Sequence, residues 1–500
     1  MRARETAPRP GWLPWLGGIA LAGYLGFIAS YLTVVAGGSD SSGYFNSARL
    51  FATGRFQETP RAPAEFGDMA TLNPLHFQPL GFAASTTGGL LVPTYSTGLP
   101  LHLALAAKLL GWHTGAVALL LFSAAAAVGL CYAVARELGL GAPLALAGAG
   151  CLAAFPVFIF TSLQPLSDTL ATTWTLAACW TALRAKANSG WAVAAGAAFA
   201  VAVLIRPTNL VFAPTLALFL GANGKRLALF CAGGIPGAVW LAFYNHTLYG
   251  SPFRSGYGNI HDSFALSYGA PTLLHFGKWL ALLLPAVLLL LPLAALIQPA
   301  TRSRPLTALL LGFGLITGLY AFYEVSHEVW WCLRFILPGV PLLIIAALLG
   351  VEAIGRRFTG PTLRRFRAAA ALTIGCWALA SSWYWTPRLS VLLMKGYERT
   401  YADGARLARE KLPPNAVVLA HAFSGALYYY TDLLLLRWDQ IEAPGFARYA
   451  ALAQHAGRPI CAVVFESEET DARRRCPGKW TRVATIANAG LWQIDGTAPP

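Results

Sequence analysis

Long apolar runs, separated by basic or glycine- and proline-rich breaks, dominate the first 387 positions of the chain. A helix needs about 20 residues to cross a hydrocarbon core. Runs of roughly that reach fall at 12–36, 114–135, 143–163, 168–185, 191–205, 208–221, 227–249, 276–298, 306–323, 335–354 and 368–386. The fifth and sixth are short enough to form a bent pair. The stretch around 96–110, STGLPLHLALAAKLLG, reads as an interfacial or partly inserted helix. After about residue 387 the pattern changes. RTYADGARLAREKLP is an amphipathic helix, NAVVLAHA a buried strand and SGALYYYTD a short helix. LLLLRW and GRPICAVVFESEE are strands, and WTRVATIANAGLWQID is a closing hairpin. Strands alternating with helices argue a small α/β domain. The expectation is a polytopic α-helical membrane protein of about eleven spans. Its parts are an N-terminal segment 1–11, a membrane body 12–387 and a soluble domain 388–500.

Between the first two spans lies a long loop, 37–95, rich in Pro and Gly. Loops of that length are usually functional or disordered. This one opens with GGSDSSGYFNSARLFATGRF. Ser39 or Asp40 can cap a helix running to about Thr53, with Gly54 closing it. Tyr44, Ala48 and Phe51 recur at helical spacing, so one face can lie on the bilayer. Asp40 stands where a chain leaving the membrane first meets water, as a helix cap, a chemical group, or both.

Composition supports the membrane reading. The chain has 500 residues, is 56% hydrophobic and only 12% charged, too little charge to cover a soluble surface of this size. The first apolar run is followed by no small-residue cleavage site, so it reads as a retained span. Alternate loops hold most of the Lys and Arg, among them Arg2, Arg136, Lys186, Arg226, Arg304 and Arg356. The other loops carry mixed charge, the bias that keeps basic loops cytoplasmic. It accounts for much of the net charge of +15 without a nucleic-acid partner. An odd number of spans then puts the C-terminal domain outside. Cys131, Cys151, Cys179, Cys231, Cys332 and Cys376 lie in or beside apolar spans, as small hydrophobes. Cys461 and Cys476, in an oxidising compartment, are a candidate disulfide.

The polar residues left on the outer face form a short list. The carboxylates are Asp40, Asp68, Asp168, Glu324 and Glu328; the bases are His76, His102, His261 and His327; the cations are Arg206, Arg254 and Arg334. Tyr44 and Tyr257 accompany them. Asp168, in QPLSDTLATTW, also begins a span and has the same capping alternative as Asp40. Arg206 precedes Pro207 in an apolar stretch, so it lines a wet cavity or marks a helix end. Arg334 follows two Trp residues, either as a functional cation or as part of an aromatic belt. The loop GSPFRSGYGNIHDSF offers Arg254, Tyr257 and His261, or is a solvated connector. SHEVW lacks the second His of a zinc-binding HExxH pattern, and neither a Gly-x-Ser-x-Gly elbow nor a nucleotide-binding glycine loop occurs. An interfacial carboxylate with guanidinium groups suits displacement of a lipid phosphate from a sugar. The carboxylate can act as general base, and Arg can stabilise the departing phosphate.

On GGSDSSGYFNSARLFATGRF, VPTYSTGLPLHLALAAKLLG, QPLSDTLATTW, LIRPTNLVFAPTLAL, SGYG and LRFILPGVPLLI, the chain resembles the polyprenyl-phosphate-dependent membrane glycosyltransferases of the GT-C superfamily. These include protein O-mannosyltransferases and lipid A aminoarabinose transferases. The order of these motifs covers most of residues 12–386. The resemblance implies inverting sugar transfer from a polyprenyl phosphate donor to a lipid, glycan or protein acceptor. It implies that transfer takes place on the outer face of a plasma (inner) membrane. It implies that Asp40 activates the acceptor, that Arg206, Arg334 or both hold the donor phosphate, and that Asp168 is a second carboxylate. Some relatives carry an Asp-Glu pair where this chain has a single Asp, which leaves proton transfer and any divalent metal open; no other cofactor is implied. Two rivals remain: a lipid or sugar transporter or flippase, and an O-antigen-type ligase or polymerase.

Overall fold

The computed structural model describes residues 13–67, 72–85, 89–258, 260–298 and 303–495. The segment 1–11, Asp68, Arg302 and the His261 side chain lie outside the described residues.

Helix covers each of the apolar runs, but the helices are unequal. Trp112–Glu137, Gly224–Tyr249, Arg304–Ala321 and Trp330–Gly355 are long and apolar enough to cross a membrane. A fifth follows if Ala142–Ala154 and Pro156–Ser162, bent by 62°, make one span. Shorter apolar helices cover others, including Gly17–Tyr31, Trp191–Ile205 and Pro207–Leu220, and Ser167–Arg184 and Gly360–Arg388 cover the runs at 168–185 and 368–386. Proline stands at several of the breaks, because its ring clashes with the preceding turn and it lacks an N–H. The run expected at 276–298 is broken. Gly269–Leu283 ends before Pro285, and a 3₁₀ turn and the helix Leu291–Ile297 follow. The run expected from 335 begins earlier, as a 3₁₀ segment Trp330–Gly339 feeding the helix Val340–Gly355. Helices Trp191–Ile205 and Gly224–Tyr249 pack closely because Gly196 has no side chain: a Cβ there would lie 1.9 Å from the Phe230 carbonyl oxygen.

The first loop is ordered at its opening. A helix runs Ser39–Ala52, and Gly54 (φ 72°) follows in the left-handed conformation. Its N-cap is Gly38, and neither Ser39 nor Asp40 caps it. Asp40 instead occupies the first turn, where its charge favours the positive end of the helix dipole. Tyr44, Ala48 and Phe51 do not lie on a bilayer. They are buried in a core shared with Leu99 and Leu103 of the helix Gly98–Leu110 and with Phe423, Leu427 and Val463 of the C-terminal region. The loop helix is thus packed between the membrane body and the C-terminal sheet. A Cβ on Gly43 would lie 2.3 Å from the Tyr95 ring and 2.8 Å from the Gly81 Cα. A glycine here lets two loop segments cross the helix.

The C-terminal sheet has five strands. Leu434–Leu436, Val417–Leu419 and Ile460–Phe465 are parallel neighbours in that order. Ala489–Asp495 then pairs antiparallel with Ile460–Phe465, and Lys479–Ile486 closes the edge as a hairpin. ESEE is not strand. Glu466, Glu468 and Glu469 open a helix Glu466–Arg475 whose last turn holds three Arg, a charge order that complements the dipole. A helix Ala443–His455 also intervenes before the third parallel strand. Cys461 and Cys476 are both free and buried, so the candidate disulfide is absent. They face apolar neighbours in two different cores.

Candidate functional site

Arg206 sits between the helix ending at Ile205 and the 3₁₀ turn starting at Pro207, with extended backbone (φ −140°, ψ 107°). The proline excludes helical backbone from the residue before it, which swings the Arg206 side chain off the helix axis. Its guanidinium pairs with Asp168 Oδ1 and donates to the Tyr320 hydroxyl at 3.1 Å. Tyr320 in turn contacts Thr208 at 3.0 Å. Asp168 lies in the first turn of the helix Ser167–Arg184, with only 2% of its side chain exposed. Arg334, in the 3₁₀ segment, reaches the second carboxylate: its Nη1 donates to Asp40 Oδ2 at 2.8 Å. The same nitrogen stands 3.8 Å from Asp168 Oδ2. Four charges from four separate elements therefore form one row, Asp40, Arg334, Asp168 and Arg206.

Aromatic rings wall the row. Arg206 lies 5.6 Å from the Phe335 ring centre, and Arg334 lies 5.1 Å from that of Trp331. Tyr95 contacts the Ser39 hydroxyl at 2.8 Å and hydrogen-bonds to Asp40. The Tyr44 ring lies 4.9 Å from the Tyr95 ring, and the Tyr257 ring 6.1 Å from it. Burial pushes the Asp40 carboxyl up. The charge and hydrogen bond of Arg334, the Tyr95 hydroxyl and the charge of Arg206 outweigh burial and hold it below the ordinary carboxylate value.

Exposure separates the two acids. Asp40 is 29% exposed, whereas Asp168 is buried and lies beside both guanidinium groups. Replacing buried ion pairs by apolar side chains is often neutral or stabilising, so stability does not explain this cluster. Arg334 Nε is buried with no hydrogen-bond partner, a donor that an anion would satisfy. Among the described residues no group of three His, Cys, Asp or Glu is placed to hold a metal ion.

Other candidates fall outside the row. Arg254 is exposed in a turn of the 251–258 loop. Glu324 makes no ion pair among the described residues. His327 contacts Thr272 at 3.4 Å and the Tyr268 ring. His102 bonds the Gly98 carbonyl, and His76 bonds Tyr449 in the C-terminal domain at 2.8 Å. Sequence reading missed Tyr95, Tyr320 and Glu398, the last of which accepts from the Gly38 N–H at 3.2 Å. Tyr95 lay inside a quoted motif. Tyr320 looked like one more aromatic in an apolar run, and Glu398 like an ordinary acid on an amphipathic helix.

The model of the dolichyl-phosphate-mannose-protein mannosyltransferase family matches residues 98–243. Among solved structures the chain is similar to ArnT from Cupriavidus metallidurans bound to undecaprenyl phosphate. The TM-score is 0.59 at 15% identity, over 99% of this chain and 100% of that one. It is similar to AglB, the oligosaccharyltransferase of Archaeoglobus fulgidus, in complex with an inhibitory peptide and a dolichol phosphate. There the TM-score is 0.51 at 13% identity, over 98% and 75%. The arabinofuranosyltransferase AftD from Mycobacteria gives 0.52 at 13% identity, covering 99% of this chain and 40% of its own. No curated protein matches. At such identities the likeness speaks for the fold, and this chain has the fold of the GT-C superfamily, the one its sequence motifs resemble.

Proposed function

We propose that the protein is a membrane glycosyltransferase that moves a sugar from a polyprenyl phosphate donor to a hydroxyl acceptor with inversion. In this reading Asp40 is the general base, and Arg334 and Arg206 receive the donor phosphate. The family model and the lipid-phosphate-bound neighbours support transfer of a lipid-linked sugar. The observation that carries the residue assignment is the single Arg334 bond to Asp40, beside the unpaired Arg334 Nε.

The chemistry follows from that bond. While Arg334 holds Asp40, the carboxylate is a weak base. A donor phosphate competes for the same guanidinium and takes up its free donors, since planar Arg suits phosphate oxygens. Asp40 then turns to the acceptor hydroxyl. The acceptor oxygen bonds to C1 of the sugar as the C1–O bond to phosphate breaks, and the proton passes to Asp40. The polyprenyl phosphate leaves with its new charge against the two guanidinium groups. Asp168 keeps the two arginines aligned, which makes it a positioning group. The loop helix and the C-terminal domain then face the extracytoplasmic side of the plasma membrane, with the N-terminus cytoplasmic.

The test is Asp40→Asn in purified, correctly inserted protein. Release of polyprenyl phosphate from a panel of hexosyl and pentosyl polyprenyl phosphates falls by about 10²–10⁴-fold, while binding of undecaprenyl phosphate persists. Turnover near that of the parent protein rejects the assignment. Movement of glycolipid across vesicles without covalent transfer returns the transporter reading.

A further inference from the structure

The helix that presents Asp40 begins with an unusual arrangement: its own Ser and Asp leave its leading N–H groups unbonded by side chains. A helix start without such bonds leaves backbone donors in need of another acceptor. The missing acceptor comes from 360 positions away. Glu398 Oε2 accepts from the Gly38 N–H at 3.2 Å, and its carboxylate also takes a hydrogen bond from the Ser41 side chain. Glu398 belongs to the helix Met394–Lys411, which joins the membrane body to the C-terminal domain and buries Ala402, Ala405 and Ala408. The fit at 37–38 is close. A Cβ on Gly37 would lie 2.1 Å from Glu398 Oε2 and 3.2 Å from the Glu398 carbonyl oxygen, so only glycine leaves room for the carboxylate.

We propose, resting on the reading of Asp40 as the base, that Glu398 is a positioning residue of the transfer reaction. It caps the Ser39–Ala52 helix from the C-terminal region and fixes where the Asp40 carboxylate stands. Because Glu398 takes the capping role, the Asp40 carboxylate is free to exchange between Arg334 and the acceptor. Burial pushes the Glu398 carboxyl up, against the Ser41 and Gly38 hydrogen bonds, and nearby Asp40 pushes it the same way. A carboxylate kept at that cost next to another acid is poor stabilisation and good registration. The linker helix also ties the C-terminal domain to the site: Lys395 donates to the Ser30 carbonyl at 3.2 Å, and the Tyr430 hydroxyl accepts from the Ala36 N–H at 2.9 Å. Contacts from the linker and the domain thus bracket the segment leading into Asp40.

The experiment compares Glu398→Ala, Glu398→Gln and Gly37→Ala in the full-length protein, with Asp40→Asn in parallel. Transfer from the same panel of polyprenyl phosphate sugars is followed, together with amide exchange at 38–42. Glu398→Ala lowers kcat at least tenfold, leaves donor KM within twofold and speeds exchange at 38–42. Glu398→Gln keeps an oxygen acceptor for Gly38 and returns kcat to within threefold of the parent. Gly37→Ala, which pushes the carboxylate away, loses kcat as Glu398→Ala does and serves alone if Glu398→Ala does not fold. Parent-like kcat in both Glu398→Ala and Gly37→Ala overturns the proposal, as does a Gln variant as impaired as Ala. An active Asp40→Asn overturns the underlying reading instead, whatever the Glu398 variants do.

Discussion

Two arginine–carboxylate networks, one in the membrane body and one in the C-terminal domain, are built differently. In the C-terminal domain, every nitrogen of Arg437 has a partner. Nε and Nη2 grip Asp439 at 2.6 Å each, Nη1 donates to the Gln78 carbonyl at 2.9 Å, and Nη2 also meets His421. Asp439 is equally occupied, accepting from Gln440 at 2.7 Å and contacting His421 at 3.1 Å. Burial pushes the Asp439 carboxyl up, yet bonds from His421, Arg437 and Gln440 hold it well below the ordinary value. In the membrane body, Arg334 makes one close bond to Asp40, stands 3.8 Å from Asp168 and leaves Nε buried without a partner. A saturated network holds two segments together, here the 74–80 stretch and the sheet. An unsaturated one leaves donors open, as the proposed binding of a donor phosphate requires. Both contain Arg and Asp, so residue type alone does not separate them; they differ in that Arg334 makes one bond to its carboxylate and Arg437 makes two.

That contrast orders the expected effects of mutation. The largest separates the two acids. Asp40→Asn removes transfer by the two to four orders of magnitude typical of a general base, whereas Asp439→Ala leaves kcat within about threefold of the parent. Thermal unfolding sees the reverse. Asp439→Ala strands a buried guanidinium and costs about 3 kcal/mol, measured on the C-terminal domain by hydrogen exchange. The arginines come next. Arg334→Ala weakens undecaprenyl phosphate binding about 10- to 100-fold, the loss of one or two charge-assisted bonds. Arg437→Ala changes that affinity by less than about twofold. Equal loss in both variants would erase the distinction drawn here.

A smaller effect appears in pH profiles. The Asp40 carboxyl is held below its ordinary value of 3.8. A depressed pKa keeps the base ionised, and activity is lost only as pH falls through the folded value. The acid limb of kcat/KM due to Asp40 therefore lies below pH 3.8, and that of kcat lies above it, because bound phosphate draws Arg334 away. Coincident limbs would argue against this exchange of partners. The smallest effect is none. Burial pushes the Cys461 thiol up to about 11 and the Cys476 thiol to about 12. Reducing agent then leaves the melting temperature unchanged, and alkylation of both thiols in the native state at pH 8 is slow. A melting temperature that falls on reduction would restore the disulfide.

Much of the fold could be read from the chain. Apolar runs betray helices because a buried or lipid-facing helix needs no polar face. Alternation in GLWQID marks a strand because successive side chains point to opposite faces. The breaks were less legible. Pro285 divides one run and Pro156 bends another by 62°, yet Pro236 sits inside the unbroken helix Gly224–Tyr249. Proline identity alone does not say which helix yields. The ESEE stretch reads as a strand continuation until its charge order, Glu first and Arg last, is weighed against the helix dipole. In the site, Asp40, Asp168, Arg206 and Arg334 stood out because charge next to long apolar runs is costly. Tyr95, Tyr320 and Glu398 did not, since tyrosine is common near interfaces and acids are common on amphipathic helices.

By itself the sequence determined the class of molecule, the order of its helices and the short list of charges in its apolar part, because composition and periodicity are local properties. It left open whether Asp40 caps a helix or stands free for chemistry. Only the tertiary structure shows that Asp40 does not cap the helix, by bringing Glu398 across 360 residues to the helix start and Arg334 across 294 to the carboxylate. Hydrogen-bond saturation depends on which distant side chains arrive within about 3 Å of a donor, and no local pattern along the chain encodes that arrival.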